Sequence, residues 1–310
     1  MEKTTKGKNC VQYGVWSDCC NNCDFCLRKN RATTTNEKKI ESIRLIRENL
    51  NHIDWVNQFS YGISLLGGEL FYIKNKEVQD EFMLLIDDII EKVLLPNDKH
   101  CRFSTVTNGL YEPSFLYRVI DRIVEKVGIE RVDVNFSYDL KGRYKTEKSR
   151  LKALKNINDF KKRYNYCVGV QMILTQNVIN LWKRGEFKYN EFVKENFDGC
   201  RLTFLYPHKI HTKAKVEDFF FSRKDFLQFL RYLKDTNHEA YINFIHSTKN
   251  SGTFKYTGMV DKGSTDTTQK PVLWDGKEVI MSCGHSELYR CYSDSDKCIL
   301  CDLKTIDGDL

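Results

Sequence analysis

The sequence predicts an α/β fold built from parallel βαβ units, and three observations lead there. Six short apolar, β-prone runs alternate with amphipathic helical patterns. The runs are brief and read as strands buried on both faces, as in a parallel sheet covered by helices. The alternation stops at about residue 238. Six such units suit either a partial barrel or an open doubly wound sheet, and right-handed crossovers place the loop after each strand at one common face.

The elements follow in order. The first run, Val11–Trp16 (VQYGVW), precedes a cysteine-rich loop and the helical pattern Glu37–Leu50. The run Tyr61–Leu66 leads to the helix Glu77–Leu95, and Cys101–Thr107 leads to Ser114–Val127. The fourth run, Arg131–Tyr138, precedes Thr146–Tyr164, a strongly basic helix read as a solvated outer face. The fifth run, Cys167–Leu174, is followed by a weaker pattern over Leu181–Asn196, and Arg201–Tyr206 by Arg223–Lys234. Residues 1–238 therefore read as the core and 239–310 as an extension. The extension opens on a Gly/Ser/Thr-rich loop, STKNSGTFKYTGMVDKGSTDTTQKP, and ends in a compact tail with four cysteines.

Composition sets bounds. The chain of 310 residues can bury a substantial core, and its 49 basic against 42 acidic residues give a net charge of +7. That excess permits an anionic substrate or a nucleic-acid partner, without the stronger, patterned basicity usual in a dedicated DNA binder. No apolar run approaches the ~18 residues of a membrane span. The start MEKTTKGKN carries no signal-peptide core, so a cytoplasmic protein without a membrane partner is expected. In that reducing compartment, 12 cysteines point to metal binding before disulfides.

The stretch SDCCNNCDFC lies directly after the first run. Cys19, Cys23 and Cys26 form C-x3-C-x2-C, and three thiolates from one tight loop can hold three irons of a [4Fe–4S] cluster while the fourth stays open to substrate. A rival reading pairs Cys20 and Cys23 with Cys298 and Cys301 as a structural zinc site of four thiolates. Three further cues fall at strand ends. Gly67-Gly68-Glu69 ends the second run, where glycines permit close backbone approach and a carboxylate can accept from an ammonium. Thr107-Asn108-Gly109 ends the third, and Ser137 and Asp139 share one side of the fourth.

In this order and placement, the cues resemble the radical S-adenosylmethionine (radical SAM) enzymes over roughly residues 10 to 206. The resemblance implies a partial (β/α)6 TIM-like barrel with a C-terminal cysteine-containing extension. It implies a SAM-binding cluster at Cys19, Cys23 and Cys26, with the SAM amino group at Gly67, Gly68 and Glu69. Thr107, Asn108, Ser137 and Asp139 would face the rest of SAM, Arg150 its carboxylate, and Thr175 and Asn177 the adenosine. Arg143 and Lys148 compete with Arg150 for that role. The implied reaction is reductive cleavage of SAM to a 5′-deoxyadenosyl radical, which abstracts hydrogen from a peptide, protein or nucleotide substrate. A low-potential donor such as a flavodoxin or ferredoxin is implied as partner.

The tail presents Cys283, Cys291, Cys298 and Cys301, a set suited to a second, auxiliary [4Fe–4S] cluster of the SPASM or twitch kind, or to zinc. His285 lies within that loop and reads as a surface residue. Cys10, Cys101, Cys167 and Cys200 read as core thiols. The alternative from a different class is a zinc-stapled, nucleic-acid-binding protein without catalysis.

Overall fold

The computed structural model describes residues 10–24, 34–52, 62–97, 99–166, 168–205, 221–251, 272–274 and 277–279. Cys26, Cys167, the Gly/Ser/Thr-rich stretch 252–271, His285 and the tail cysteines Cys283, Cys291, Cys298 and Cys301 lie outside the described residues.

Six strands stand side by side in chain order: β1 (Cys10–Gly14), β2 (Gly62–Leu66), β3 (Arg102–Thr107), β4 (Val132–Ser137), β5 (Gly169–Ile173) and β6 (Leu202–Leu205). Each pairs with the next in parallel. A doubly wound sheet needs a point where strand order reverses. These six show none, so right-handed crossovers carry the connecting helices to one face. The sheet is that of a partial (β/α)6 barrel. A hairpin from the extension, β7 (Val272–Trp274) and β8 (Lys277–Val279), continues it: β7 lies parallel to β1 and β8 antiparallel to β7.

The burial on both faces expected from the sequence holds along Gly62–Leu65 of β2, whereas β3 and β6 alternate along their length and β5 does so over its second half. Along β3, the exposed or half-buried Arg102, Ser104 and Val106 alternate with buried Phe103, Thr105 and Thr107. The cause is the winding: with helices on one side only, the other side becomes the inner wall of a barrel. Register puts Ser64, Ser104 and Asp133 in one row of that wall and Ser137, Gln171 and Thr203 in another. On the outer face Ile63, Leu65, Phe103, Val134, Phe136, Val170 and Phe204 are buried in one apolar core with the helices.

The α-helices among the described residues are α1 (Asn36–Leu50), α2 (Lys76–Ile89), α3 (Ser114–Val127), α4 (Glu147–Tyr164), α5 (Gln176–Lys183), α6 (Tyr189–Phe197), α7 (Arg223–Thr236) and α8 (His238–Ser251). Thr35, Asn75, Thr146, Thr175 and Ser222 cap α1, α2, α4, α5 and α7 by accepting from a backbone N–H of the first turn. The pattern Glu77–Leu95 is α2 continued by a π-helical turn, Ile90–Leu94. The single helix expected over Leu181–Asn196 is instead two, α5 and α6. Gly185 separates them at φ +75°, with its N–H on the Trp182 carbonyl, a left-handed stop that glycine adopts without strain. Helix α8 was not expected. It packs on β6 and α7, and Asn237 Oδ1 caps it by accepting from Ala240 N at 2.9 Å. No described helix is long and apolar enough to cross a membrane.

Candidate functional site

The thiol loop begins where β1 ends, and neighbouring elements fix its first residues. Ser42 of α1 donates to the Val15 carbonyl, and Lys39 Nζ reaches Asp18 Oδ2 at 2.6 Å while lying over the Trp16 ring. From the β2 side, Val15 N donates to Leu66 O, Gly68 N to Trp16 O and Glu69 N to Asp18 O, at 2.8–2.9 Å. The Gly67-Gly68-Glu69 turn thus carries the β1–β2 pairing beyond both strands. A Cβ at Gly68 would stand 1.8 Å from the Asp18 carbonyl oxygen. The close approach that the sequence suggested for a ligand is made here to the backbone just before Cys19.

Glu69 is 1% exposed. Its carboxylate accepts from Thr107 Oγ1 at 3.0 and 3.1 Å, from Asn108 N at 2.8 Å and from Phe71 N at 3.4 Å. Behind it, Tyr111 OH lies 2.7 Å from Thr107 Oγ1, and Asn156 of α4 donates to the carbonyls of Gly109 and Tyr111. Burial pushes the Glu69 carboxyl up to about 8, against the opposing pull of its N–H and O–H donors. A cation arriving beside it would bring it back toward the ionised form.

The same strand ends supply nitrogen donors to the thiols. Asn21 N donates to Cys19 Sγ and Asn21 Nδ2 to Cys23 Sγ, both at 3.4 Å. Asn108 Nδ2 lies 3.8 Å from Cys19 Sγ and 3.6 Å from Cys20 Sγ. From the loop after β4, Gly142 O accepts from Asp24 N at 2.8 Å, and Arg143 Nη1 reaches Cys23 Sγ at 3.7 Å. Arg143 Nε donates to Asp139 Oδ2 at 2.5 Å, and Asp139 Oδ1 accepts from Ile173 N of β5 at 2.7 Å. Burial raises the Asp139 carboxyl, opposed by Arg143. Burial likewise disfavours the Arg143 charge, but Asp139 more than offsets this and holds the guanidinium above its ordinary range.

The structure therefore brings Glu69, Thr107, Asn108 and Asp139 to the Cys19–Cys23 loop at the C-terminal ends of successive strands, where barrel sites form. Cys20 is exposed on the same loop. Ser137 ends β4 half-buried on the inner wall, beside Gln171 in register. Thr175 is buried and caps α5, and Asn177 stands half-buried in that helix's first turn. Arg150 is turned elsewhere: it pairs with Glu147, donates to the Tyr138 hydroxyl and stacks over the Tyr138 ring. Arg143, named in the sequence only as a competitor, is the arginine beside the thiols. Asn21, inside the motif, and Tyr111, four residues after Thr107, were missed. Asn21 could have been noticed as an amide between two cysteines.

The described thiols fit an iron–sulfur cluster by donor chemistry: thiolate sulfur is its usual ligand, and N–H donors to that sulfur are its usual surroundings. Among the described residues, no group of three His, Cys, Asp or Glu side chains is disposed to hold a metal ion. The third cysteine of the motif, Cys26, falls outside them.

No family model and no curated protein matches the chain by sequence. Solved structures match by fold. Native anSMEcpe with bound AdoMet aligns with a TM-score of 0.50 at 17% identity, over 77% of this chain and 62% of that one. SuiB from Streptococcus suis aligns at 0.49 and 14%, over 76% and 47%, and its complex with precursor peptide SuiA at 0.47 and 14%, over 74% and 45%. These neighbours are radical SAM enzymes, and at such identities the likeness is one of fold. The chain spans less than two thirds of the first neighbour's length and about half of SuiB's.

Proposed function

We propose that the chain is a radical SAM enzyme in which Cys19, Cys23 and Cys26 hold a [4Fe–4S] cluster that binds S-adenosylmethionine. One observation carries the reading: a buried carboxylate, an asparagine and an arginine–aspartate pair converge on one thiol loop at the strand ends of a six-stranded partial barrel. When bound, the cluster would supply the electron that splits S-adenosylmethionine into methionine and a 5′-deoxyadenosyl radical, which takes hydrogen from the substrate.

The chain's own residues bind and orient. Glu69 receives the methionyl ammonium, and its fixed donors Thr107 and Asn108 keep one carboxylate face aimed at it. An ammonium there supplies the counter-charge that burial withholds, so cation binding and ionisation of Glu69 favour each other. Ser137 and the polar inner wall offer hydrogen bonds to the ribose and to a polar substrate. Thr175 and Asn177 border the adenosine, and Arg150 would have to leave Glu147 to meet the carboxylate. The walls exclude water from the reacting centre.

For substrate, a peptide or protein is our first reading and a nucleotide the second, with a flavodoxin or ferredoxin as electron donor. We assign the tail cysteines to an auxiliary [4Fe–4S] cluster, or to zinc. The test is anaerobic reconstitution with iron and sulfide, then reduction in the presence of S-adenosylmethionine. A brown protein that forms 5′-deoxyadenosine, and a Cys19→Ala variant that does not, supports the reading. A colourless protein carrying zinc alone and releasing no 5′-deoxyadenosine overturns it in favour of a zinc-stapled nucleic-acid binder. Transfer of deuterium from a labelled candidate into 5′-deoxyadenosine then identifies the substrate.

A further inference from the structure

We propose that Arg143, braced by Asp139, sets the reduction potential of the cluster, acting with Asn21 and Asn108 as a shell of N–H donors around Cys19 and Cys23. The inference rests on the functional reading above and deepens it. Four contacts form the shell: Asn21 N to Cys19, Asn21 Nδ2 to Cys23, Asn108 Nδ2 to Cys19 and Arg143 Nη1 to Cys23.

Arg143 is the member that brings a full charge. A structural ion pair would need only the bond from its Nε to Asp139. Asp139 does more than neutralise: Ile173 N holds its other oxygen, so the carboxylate is fixed on both sides and fixes the plane of the guanidinium. That plane carries Nη1 to sulfur. The two side chains are 13% and 2% exposed, so water screens the contact little. Reduction adds negative charge that the thiolates share. Donors and positive charge at sulfur stabilise the reduced form and raise its potential. Arg143 is thus a positioning residue that acts through Cys23.

The test is an EPR-monitored redox titration of the reconstituted full chain without S-adenosylmethionine, following the signal that Cys19→Ala abolishes. Arg143→Gln should lower the midpoint about tenfold in reduced-to-oxidised ratio, ~59 mV for a one-electron couple. Arg143→Lys keeps the charge but not the planar fork and should fall between. Arg163→Gln removes an arginine paired with Asp121 on the outer helices and should match wild type. An Arg143→Gln protein with normal iron and an unmoved potential overturns the inference, as does an equal shift in Arg163→Gln. If Arg143→Gln loses its cluster, a wild-type potential in Arg143→Lys overturns it. A wild-type chain that takes up no cluster overturns the functional reading and the inference with it.

Discussion

Replacing Gly68 with alanine should damage the thiol loop more than any other single-methyl change. The new Cβ would stand 1.8 Å from the Asp18 carbonyl oxygen and 2.5 Å from that of Ser17. Ordinary contact is roughly 3.5 Å, so strand end and loop must part by about 1.5 Å or more. The bonds from Gly68 N to Trp16 O at 2.8 Å and from Glu69 N to Asp18 O at 2.9 Å cannot survive that separation. Each contributes about 1 kcal/mol net, and overpacking against backbone adds ~1–3 kcal/mol, giving about 3–5 kcal/mol in all. Gly67→Ala is the matched comparison. Its Cβ meets chiefly the Leu70 side chain, and the nearest backbone atom, the Trp16 carbonyl oxygen, stands 3.1 Å away, so its cost should stay near ~1–3 kcal/mol. Urea unfolding of the apoproteins by far-UV circular dichroism measures the ranking, and iron per chain after reconstitution measures the loop. Gly68→Ala with wild-type stability and iron, or less damaging than Gly67→Ala, would refute the role given to this turn.

Three further predictions concern the charges and the metals. The folded protein holds the Glu69 proton more tightly than the unfolded chain does, since burial lifts the carboxyl from its ordinary 4.5 to about 8. Apoprotein stability should therefore decline as pH rises from about 4.5 to about 8 and then level off, and Glu69→Gln should remove this slope; superimposable pH profiles would count against it. Asp139→Ala strands the Arg143 guanidinium and should cost about 3–5 kcal/mol, whereas Asp139→Leu combined with Arg143→Met should cost less. Equal losses in chemical denaturation would mean that the two side chains are not coupled. A Cys19, Cys23 and Cys26→Ala triple variant should retain about four irons per chain if Cys283, Cys291, Cys298 and Cys301 hold a cluster, or about one zinc if they form a staple. Metal analysis that finds neither would make them free thiols.

The parts of the fold legible in the sequence are those where local pattern and tertiary burial agree. Ser114–Val127 carries its buried Phe115, Leu116, Val119, Ile120 and Ile123 at helical spacing, and its bounds were read as they stand. Helix α8 was lost because its buried Ala240, Tyr241, Phe244 and Ile245 run into the polar stretch that follows. The Asn237 cap was the available signal. The alternation along β3, Arg-Phe-Ser-Thr-Val-Thr, was disguised by its brevity and by the apolar Val106 on the inner face. At the candidate site, the placement of Glu69, Asn108 and Asp139 near the thiol loop was legible because each sits at a strand end in a short motif. Arg143 was not separable from Arg150 by spacing. Which of the two turns inward is decided by Asp139 on one side and by Glu147 and Tyr138 on the other, contacts that no linear pattern encodes.

The thiol loop draws its partners from far along the chain: Asn108 lies 89 residues beyond Cys19, and Arg143 lies 120 beyond Cys23. During synthesis at ~5–20 residues per second, the thiols leave the ribosome roughly 6–24 s before Arg143 does. Until Arg143 emerges the thiols lack the guanidinium, and for the first part of that interval the Asn108 amide as well, so stray zinc or an oxidant can meet them first. The donor shell of the proposed cluster is therefore complete only once β4 and the loop after it have been made.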